Sequence, residues 1–569
     1  MAFDSKKRIT LLSACIIIPA CVIVGRLYNL QIMRSAEFRS AADNQYVAKD
    51  SSVFDRGSIF FSSKEGTKVS AATLKTGYIV SVNPKLVKEP EDIVNALSGY
   101  LTLDEASVFL KSTRKDDSYE VLAKKVDEKT AHAIDSLSID GLSVYKERWR
   151  EYPGNSLGSH VLGFVGYKDE NTLGGVYGLE HYYEDTLSRN GANTYANFFA
   201  QIFLGSEDPT AKDQKEGDVV TSIEPTVQSE LQSALALVQE KYSSERTGGV
   251  IMDPKTGEVY AMAVAPDFDP NNYASEKNQS VFTNSMIQGV YEMGSIVKPL
   301  AMAAGIDAGV VTPETRYIDK GFVTVDGAKI SNFDHRGRGD INMQQVLSES
   351  LNTGMAFVAG KLGNENLTRY FKSLGFGEKT GIDLPGEVSG LIKNLDSPRD
   401  VEHVTAAFGQ GIAITPIEVT RALSALGNGG VVPTPHIAKR IEYVNGTEKE
   451  IETDTPRRVW SEKTSEDITR MLVTVVDKAL LGGTVKMDHY SIAAKTGTAQ
   501  MAKETGGGYY DDRYLHSFFG YFPAYNPRFI VFLFTVYPKG VSYASHTLTE
   551  PFIDLAKFLI SYYNIPPDR

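Results

Sequence analysis

The chain has 569 residues, more than a single domain normally holds, so two or more folded units are expected. Apolar residues make up 42% and charged residues 23%, the balance of a globular protein rather than a disordered one. A net charge of −12 argues against nucleic acid as a partner.

Lys6, Lys7 and Arg8 precede an uncharged run from Ile9 to Gly25, followed by Arg26 and LYNLQIM. Seventeen helical residues span roughly 26 Å, a little short of a ~30 Å hydrocarbon core, and the LYNLQIM segment makes up the difference if Arg26 snorkels. The reading is a cytoplasmic tail at 1–8 and a single transmembrane anchor at 9–32, with the basic cluster inside and everything beyond about residue 33 outside the cytoplasm. A cleaved signal peptide is the rival reading, with LSAC (12–15) or IPAC (18–21) as cleavage box. The first leaves only Ile9 to Leu11 as a hydrophobic run, and the second puts Pro19 beside the cut, so the uncleaved anchor is preferred. Both cysteines, Cys15 and Cys21, lie in this segment, so the exported part is expected to have no disulfide.

From 33 to about 220 the pattern suggests an irregular α+β module, with a strand at GYIVSV (77–82), a helix at 127–137 and a strand at 142–149. A second unit, 221–569, opens with a helix-like run at 228–242. The hairpin GGVIMD…EVYAMAVAP (248–266) follows, turning at DPKTGE. Near the C-terminus come SIAAKTGTAQ (491–500), HSFFGYFPA (516–524) and RFIVFLFTVYP (528–538), then a helix starting at Thr549. About five strands in two groups, with helices inserted between, imply a mainly antiparallel sheet packed by helices, α/β (α+β) in content and unlike a Rossmann series.

Acyl-transfer enzymes without a histidine base can combine Ser-x-x-Lys, Ser-x-Asn and Lys-Thr-Gly. Ser-x-x-Lys occurs at Ser112, Ser143 and Ser295. Ser143 lies in an alternating run, where positions three apart face opposite ways, and Ser112 lies in a charged stretch expected to be solvated. Ser295 leads into an Ala- and Leu-rich helix, and Pro299 confines the helix start to Ser295 or its neighbour, putting Lys298 one turn along on the same face. Lys-Thr-Gly occurs at Lys75, Lys255, Lys379 and Lys495. The copy at Lys255 reads as a hairpin turn, that at Lys379 as a loop and that at Lys75 as a strand entrance. Lys495 alone is expected within a strand, where Gly497 admits a close backbone neighbour. Of the Ser-x-Asn triplets at Ser81, Ser188 and Ser350, only Ser350-Leu-Asn352 falls in the second unit, between the other two motifs.

With these motifs the chain resembles the class B penicillin-binding proteins, membrane-anchored peptidoglycan D,D-transpeptidases, of the septal FtsI type. GRLYNLQ (25–31), RGSI at Arg56, REYPGNSLGSHVLGFVG and GGVYGLEHYYEDTLSRNG (174–191) resemble the family's anchor junction and pedestal. GFGEKTGIDLPGE, AAFGQGIAITPIEVTRAL and ALGNGGVVPTPHI are similar to connecting segments of its transpeptidase fold. One departure is FFSSKEG after Ile59, where the family usually has an Asp-Arg-Asn-Gly-like turn.

The resemblance implies an elongated pedestal at 33–220, similar to the family's dimerisation domain, and a transpeptidase domain at 221–569. It implies that Ser295 attacks the penultimate D-Ala carbonyl of a stem peptide and that an amine of a neighbouring stem takes the acyl group. Lys298 would be the base, its pKa lowered by burial and by Lys495. Ser350 would relay the proton and Asn352 would hold Lys298 and the substrate amide. Lys495, Thr496, Gly497 and Thr498 would bind the peptide's carboxylate end, with the N–H groups of Ser295 and Thr498 as oxyanion hole. β-Lactams would acylate the same serine. A membrane glycosyltransferase of the FtsW/RodA type and other division proteins are the implied partners. No cofactor or metal is expected, and His516 and Asp511 are read as structural. A β-lactamase lacks support because no Glu-x-x-Leu-Asn occurs. A D,D-carboxypeptidase, an elongation-type enzyme and a non-turnover β-lactam sensor remain as alternatives.

Overall fold

The computed structural model describes residues 54–168, 172–189, 215–503, 505 and 507–569. The expected anchor lies outside these residues, and among the described ones no helix is long and apolar enough to cross a membrane. The chain forms two compact units. The described part of one is essentially residues 75–149, and the other gathers 56–74, 150–189 and the C-terminal part of the chain.

Strand β1 (Ile59–Ser62) pairs antiparallel with the first half of β2 (Lys68–Val82). The second half of β2 belongs to the smaller unit. There it meets helices α1 (Pro90–Ser98) and α2 (Glu105–Thr113), strand β3 (Glu120–Val126), helix α3 (Glu128–Asp135) and strand β4 (Leu142–Glu151). Asp104 and Asp127 cap α2 and α3 by accepting backbone N–H groups that the first turn leaves unpaired. Val80, Val82, Ile93, Leu97, Val108 and Ile134 form this unit's core.

Two expectations are corrected here. Ser112 is not solvated: it lies in α2, fully buried, and its hydroxyl donates to the Val108 carbonyl one turn back at 2.8 Å. Lys115 meanwhile donates to the Pro84 carbonyl at 2.7 Å. The Lys75 copy of Lys-Thr-Gly sits well inside β2, so lying within a strand does not by itself distinguish Lys495.

In the larger unit β5 (Gly217–Thr221) leads into helix α4 (Pro225–Tyr242), whose first turn carries Pro225 and is capped by Glu224. Strands β6 (Arg246–Met252) and β7 (Val259–Ala265) follow as a hairpin. After a 3₁₀ turn at Gly294–Val297 come α5 (Lys298–Asp307), α6 (Met343–Ser348), α7 (Asn352–Leu362), β8 (Ala438–Tyr443) and α8 (Glu462–Thr474). The chain ends with β9 (Ala493–Ala502), β10 (Tyr509–Phe522), β11 (Phe529–Val536) and α9 (Thr549–Tyr562).

The central sheet has the order β9-β10-β11-β6-β7, with every neighbouring pair antiparallel. The unit's other large sheet is mixed: β1 and β5 run parallel, β5 and β8 antiparallel, so an antiparallel description does not hold throughout. Strand β11 shows why the central sheet needs cover on both faces. Phe529, Val531 and Leu533 pack with α4 and α9, while Ile530, Phe532 and Phe534 pack with the inserted helices. A strand apolar at both parities has no face to offer to water.

Candidate active site

The site grows from the edge strand β9 and the turn that precedes α5. Ser295 lies in a 3₁₀ turn rather than in the helix itself; regular α-helix begins at Lys298, with Pro299 in its first turn, where no N–H is needed. In a 3₁₀ turn residues i and i+3 eclipse, so Ser295 and Lys298 are aligned more closely than an α-turn would align them. The Lys298 N–H donates to the Ser295 carbonyl and closes the turn.

Gly497 lets β9 lie against this turn. A Cβ there would fall 2.6 Å from the Met293 carbonyl oxygen and 2.3 Å from Ser517 Oγ. Ser517, on β10, donates its hydroxyl to the Met293 carbonyl at 3.0 Å and so ties the turn to the sheet. Gly294, at φ +64°, backs against the Thr498 carbonyl.

The third component arrives from the end of α6. The Leu351 N–H reaches the Val346 carbonyl and the Ser350 N–H reaches that of Leu347, the paired bonds of a Schellman motif. Ser350 fills its left-handed position (φ +55°), where glycine is usual. This turns the Ser350 carbonyl and hydroxyl towards the two lysines. Lys298 Nζ donates to Ser350 O at 2.6 Å and to Asn352 Oδ1 at 2.8 Å, with Ser350 Oγ at 3.3 Å. Lys495 Nζ donates to Ser350 Oγ and to Thr496 O, both at 3.0 Å. The Asn352 amide is oriented by its Nδ2, which donates to Ser331 O at 2.9 Å.

Both amines are almost wholly buried, and none of their hydrogen-bond partners is a carboxylate. Burial, and then the Lys495 charge, drive Lys298 well below the ordinary lysine range. Burial pushes Lys495 down to about 7. A neutral Lys298 has two N–H bonds and one lone pair. The Ser350 and Asn352 oxygens take both N–H bonds, leaving the lone pair to accept a proton. Ser295, Lys298, Ser350, Asn352 and Lys495 are thus brought to one place, with Thr496 and Thr498 partly buried on β9 beside them.

The rejected motif copies are occupied otherwise. Lys255 lies in the β6–β7 turn, Lys379 in a loop, and Ser143 in β4. Ser188 is grouped by compactness with the larger unit, and its hydroxyl donates to Glu184 at 3.2 Å. His516 is fully buried on β10, held by Thr547 Oγ1 at 3.0 Å and kept neutral by burial, its pKa near 4. Among the described residues no cluster of His, Cys, Asp and Glu could hold a metal ion.

The sequence reading missed the support behind Asn352. Asp319 accepts from Thr353 Oγ1 at 2.8 Å, from Asn332 Nδ2 and from the Arg338 N–H, bracing the segment that carries Ser331. These residues are spread over 34 positions, and no local pattern marks them.

Ser295 one turn from a buried lysine, which meets a second lysine at Ser350 and is held by Asn352, is an arrangement that can support serine acyl transfer without a histidine. The penicillin binding protein transpeptidase domain matches residues 247–556 and the penicillin-binding protein dimerisation domain residues 55–200, and the chain belongs to this family of penicillin-binding transpeptidases. It is 32% identical to stage V sporulation protein D of Bacillus subtilis, over 96% of this chain and 84% of that protein. It is 25% identical to the peptidoglycan D,D-transpeptidase FtsI of Buchnera aphidicola, over 99% and 96%. The crystal structure of penicillin binding protein 3 from Mycobacterium tuberculosis with aztreonam shares the fold, at TM-score 0.69 and 23% identity, over 91% of this chain and 98% of that one.

Proposed function

We propose that the protein is a class B peptidoglycan D,D-transpeptidase of septum synthesis, anchored in the cell membrane by residues 9–32 with its catalytic unit outside the cytoplasm. The observation that carries the chemistry is the Lys298 amine, buried and bonded only to oxygen acceptors one 3₁₀ turn from Ser295. Lys298 takes the Ser295 proton as Oγ attacks the penultimate D-Ala carbonyl. The backbone N–H groups of Ser295 and Thr498 receive the oxyanion. Ser350, bridging the two amines, passes the proton to the departing D-Ala nitrogen. Thr496, Thr498 and a protonated Lys495 hold the terminal carboxylate. Asn352 fixes Lys298, and the second N–H of its Nδ2 remains for the substrate amide. The acyl group then passes to an amine of a second stem peptide.

The septal assignment rests on the relatives named for FtsI and for sporulation. Division proteins, among them a membrane glycosyltransferase of the FtsW/RodA type, are the partners that reading implies.

Incubating the protein with donor and acceptor stem peptides should yield a cross-linked product; free acid alone would make it a carboxypeptidase. A fluorescent β-lactam should label Ser295, and Ser295→Ala should abolish labelling. Lys495→Ala should slow labelling by orders of magnitude, while Lys75→Ala, Lys255→Ala and Lys379→Ala label near the normal rate. A label on any other residue would overturn the assignment.

A further inference from the structure

Two aromatic side chains sit in solvent and yet touch. Phe333 is 56% exposed and Tyr543 49%, and their rings pack edge to face with centroids 6.1 Å apart. Large apolar side chains left in water singly need no explanation; two that meet from segments 210 positions apart do.

Each is anchored to one wall of the site. Phe333 follows Ser331, whose carbonyl orients Asn352, and Asn332, whose Oδ1 accepts from the Thr353 N–H at 3.2 Å. Its loop is pinned further by Arg338, which pairs with Asp334 and with Glu349, the neighbour of Ser350, each at 2.8 Å. Tyr543 precedes Ala544, whose N–H donates to Thr498 Oγ1 at 3.1 Å. The contacts close a ring. Lys298, Asn352 and Ser331 lead up one side to Phe333; Thr498 and Ala544 lead up the other to Tyr543. Lys495 and Ser350 join the two sides at the base. Ser295 lies on a segment that also joins the two sides, between Gly294, which backs on Thr498, and Lys298, which is bonded to Asn352.

We propose that Phe333 and Tyr543 form an aromatic latch across the mouth of the cleft, which withholds water from the acyl-enzyme and selects as acceptor an amine presented on a stem peptide large enough to part the rings. The inference rests on the transpeptidase reading. In the productive step the acceptor nitrogen bonds to the acyl carbon, the ester bond to Ser295 Oγ breaks, and the amine's proton returns to Oγ. Water entering the same position makes a carboxylic acid instead. Water outnumbers any acceptor, so the outcome depends on exclusion. One solvent-exposed ring contact is weak enough for a binding chain to open, as a lid must be.

The test uses the full-length protein in detergent, a thioester analogue of a D-Ala-terminated stem as donor and a stem-peptide amine as acceptor. The ratio of hydrolysis to aminolysis is measured alongside the rate of β-lactam acylation. Phe333→Ala and Tyr543→Ala should each raise the ratio about tenfold, equivalent to ~1.4 kcal/mol between the competing transition states, with a much smaller change in acylation. Phe333→Tyr and Tyr543→Phe, which keep the rings, should restore the ratio, and Tyr525→Ala, an exposed aromatic elsewhere, should leave it unchanged. A wild-type protein that transfers to the amine while both alanine variants keep its ratio overturns the latch alone. A wild-type protein that only hydrolyses overturns the transpeptidase reading and the latch with it.

Discussion

Ser350 stands where a Schellman motif normally has glycine, and an L-residue in that left-handed position carries strain of roughly 1–2 kcal/mol. The hydroxyl between the two lysines is what the strain secures, and strain of this kind is typical of functional positions. Ser350→Gly and Ser350→Ala both remove that hydroxyl, but only glycine relieves the backbone. The glycine variant should therefore be more stable than the alanine variant by ~1 kcal/mol, while both acylate slowly. Equal denaturation midpoints would show the conformation to be unstrained.

Lys495 has a comparable cost in charge. Its folded pKa of about 7 lies below the unfolded value near 10.4, so the unfolded chain binds more protons between those limits and stability rises with pH across them. Below pH 7 the burial penalty, of order 5 kcal/mol, is fully present. Lys495→Met should be more stable than the parent at pH 6.5, less the hydrogen bonds it loses, and the advantage should shrink by pH 9.5. Urea melts at the two values test this, and a pH-independent difference would sink it.

At the scale of elements, the site depends on how closely β9 lies against the turn at Gly294–Val297. Gly497→Ala would force a methyl into the Met293 carbonyl and Ser517 Oγ, at an overpacking cost of ~1–3 kcal/mol. Moving the strand moves Lys495 and Thr498 with it, so β-lactam acylation should fall more than tenfold, the loss given by only ~1.4 kcal/mol of misplacement. Adding Ser517→Ala should recover little of it, because the backbone carbonyl remains; full recovery would show that the hydroxyl alone set the spacing.

The helical stripe from Thr549 and the five strands of the central sheet were legible because both α9 and the sheet have long, strongly periodic patterns. The three motifs of the candidate site were legible because each is local and the three lie in order. Context read from sequence was less secure. Lys75 is as much within a strand as Lys495, and Ser112 is helical and buried. What separates Lys495 is its meeting with Ser350 145 positions away, a contact no local pattern encodes.

At the scale of the whole molecule, compactness divides the chain differently from sequence texture. Ile59, Phe61, Val161, Leu162 and Leu179, all before residue 220, share a core with Val250 and Val259 of the central hairpin. Strand β1 pairs with β5, and β5 with β8. Arg56 and Arg150 each place Nε 2.6 Å from a Glu180 carboxylate oxygen, with Glu180 fully buried. Removing one side of such a buried pair costs ~3–5 kcal/mol. A truncation that begins at residue 221 discards β1, all of β5 but Thr221, and this ion cluster together, and should leave an aggregating, unlabelled fragment. Excising residues 78–148 is a different cut. Strands β2 and β4 pair, and a Cβ on Gly77 would fall 2.7 Å from the Trp149 ring, so a short Gly-Ser turn can join the two ends. The excised protein should fold and be acylated at Ser295 near the intact rate, since the excision keeps the β1–β5 pairing and the Arg56–Glu180–Arg150 cluster. Comparing the two variants by thermal melting and β-lactam labelling decides the point: a well-folded, labelled fragment from 221 onward, or an excised protein that fails to fold, would return the structural boundary to residue 220.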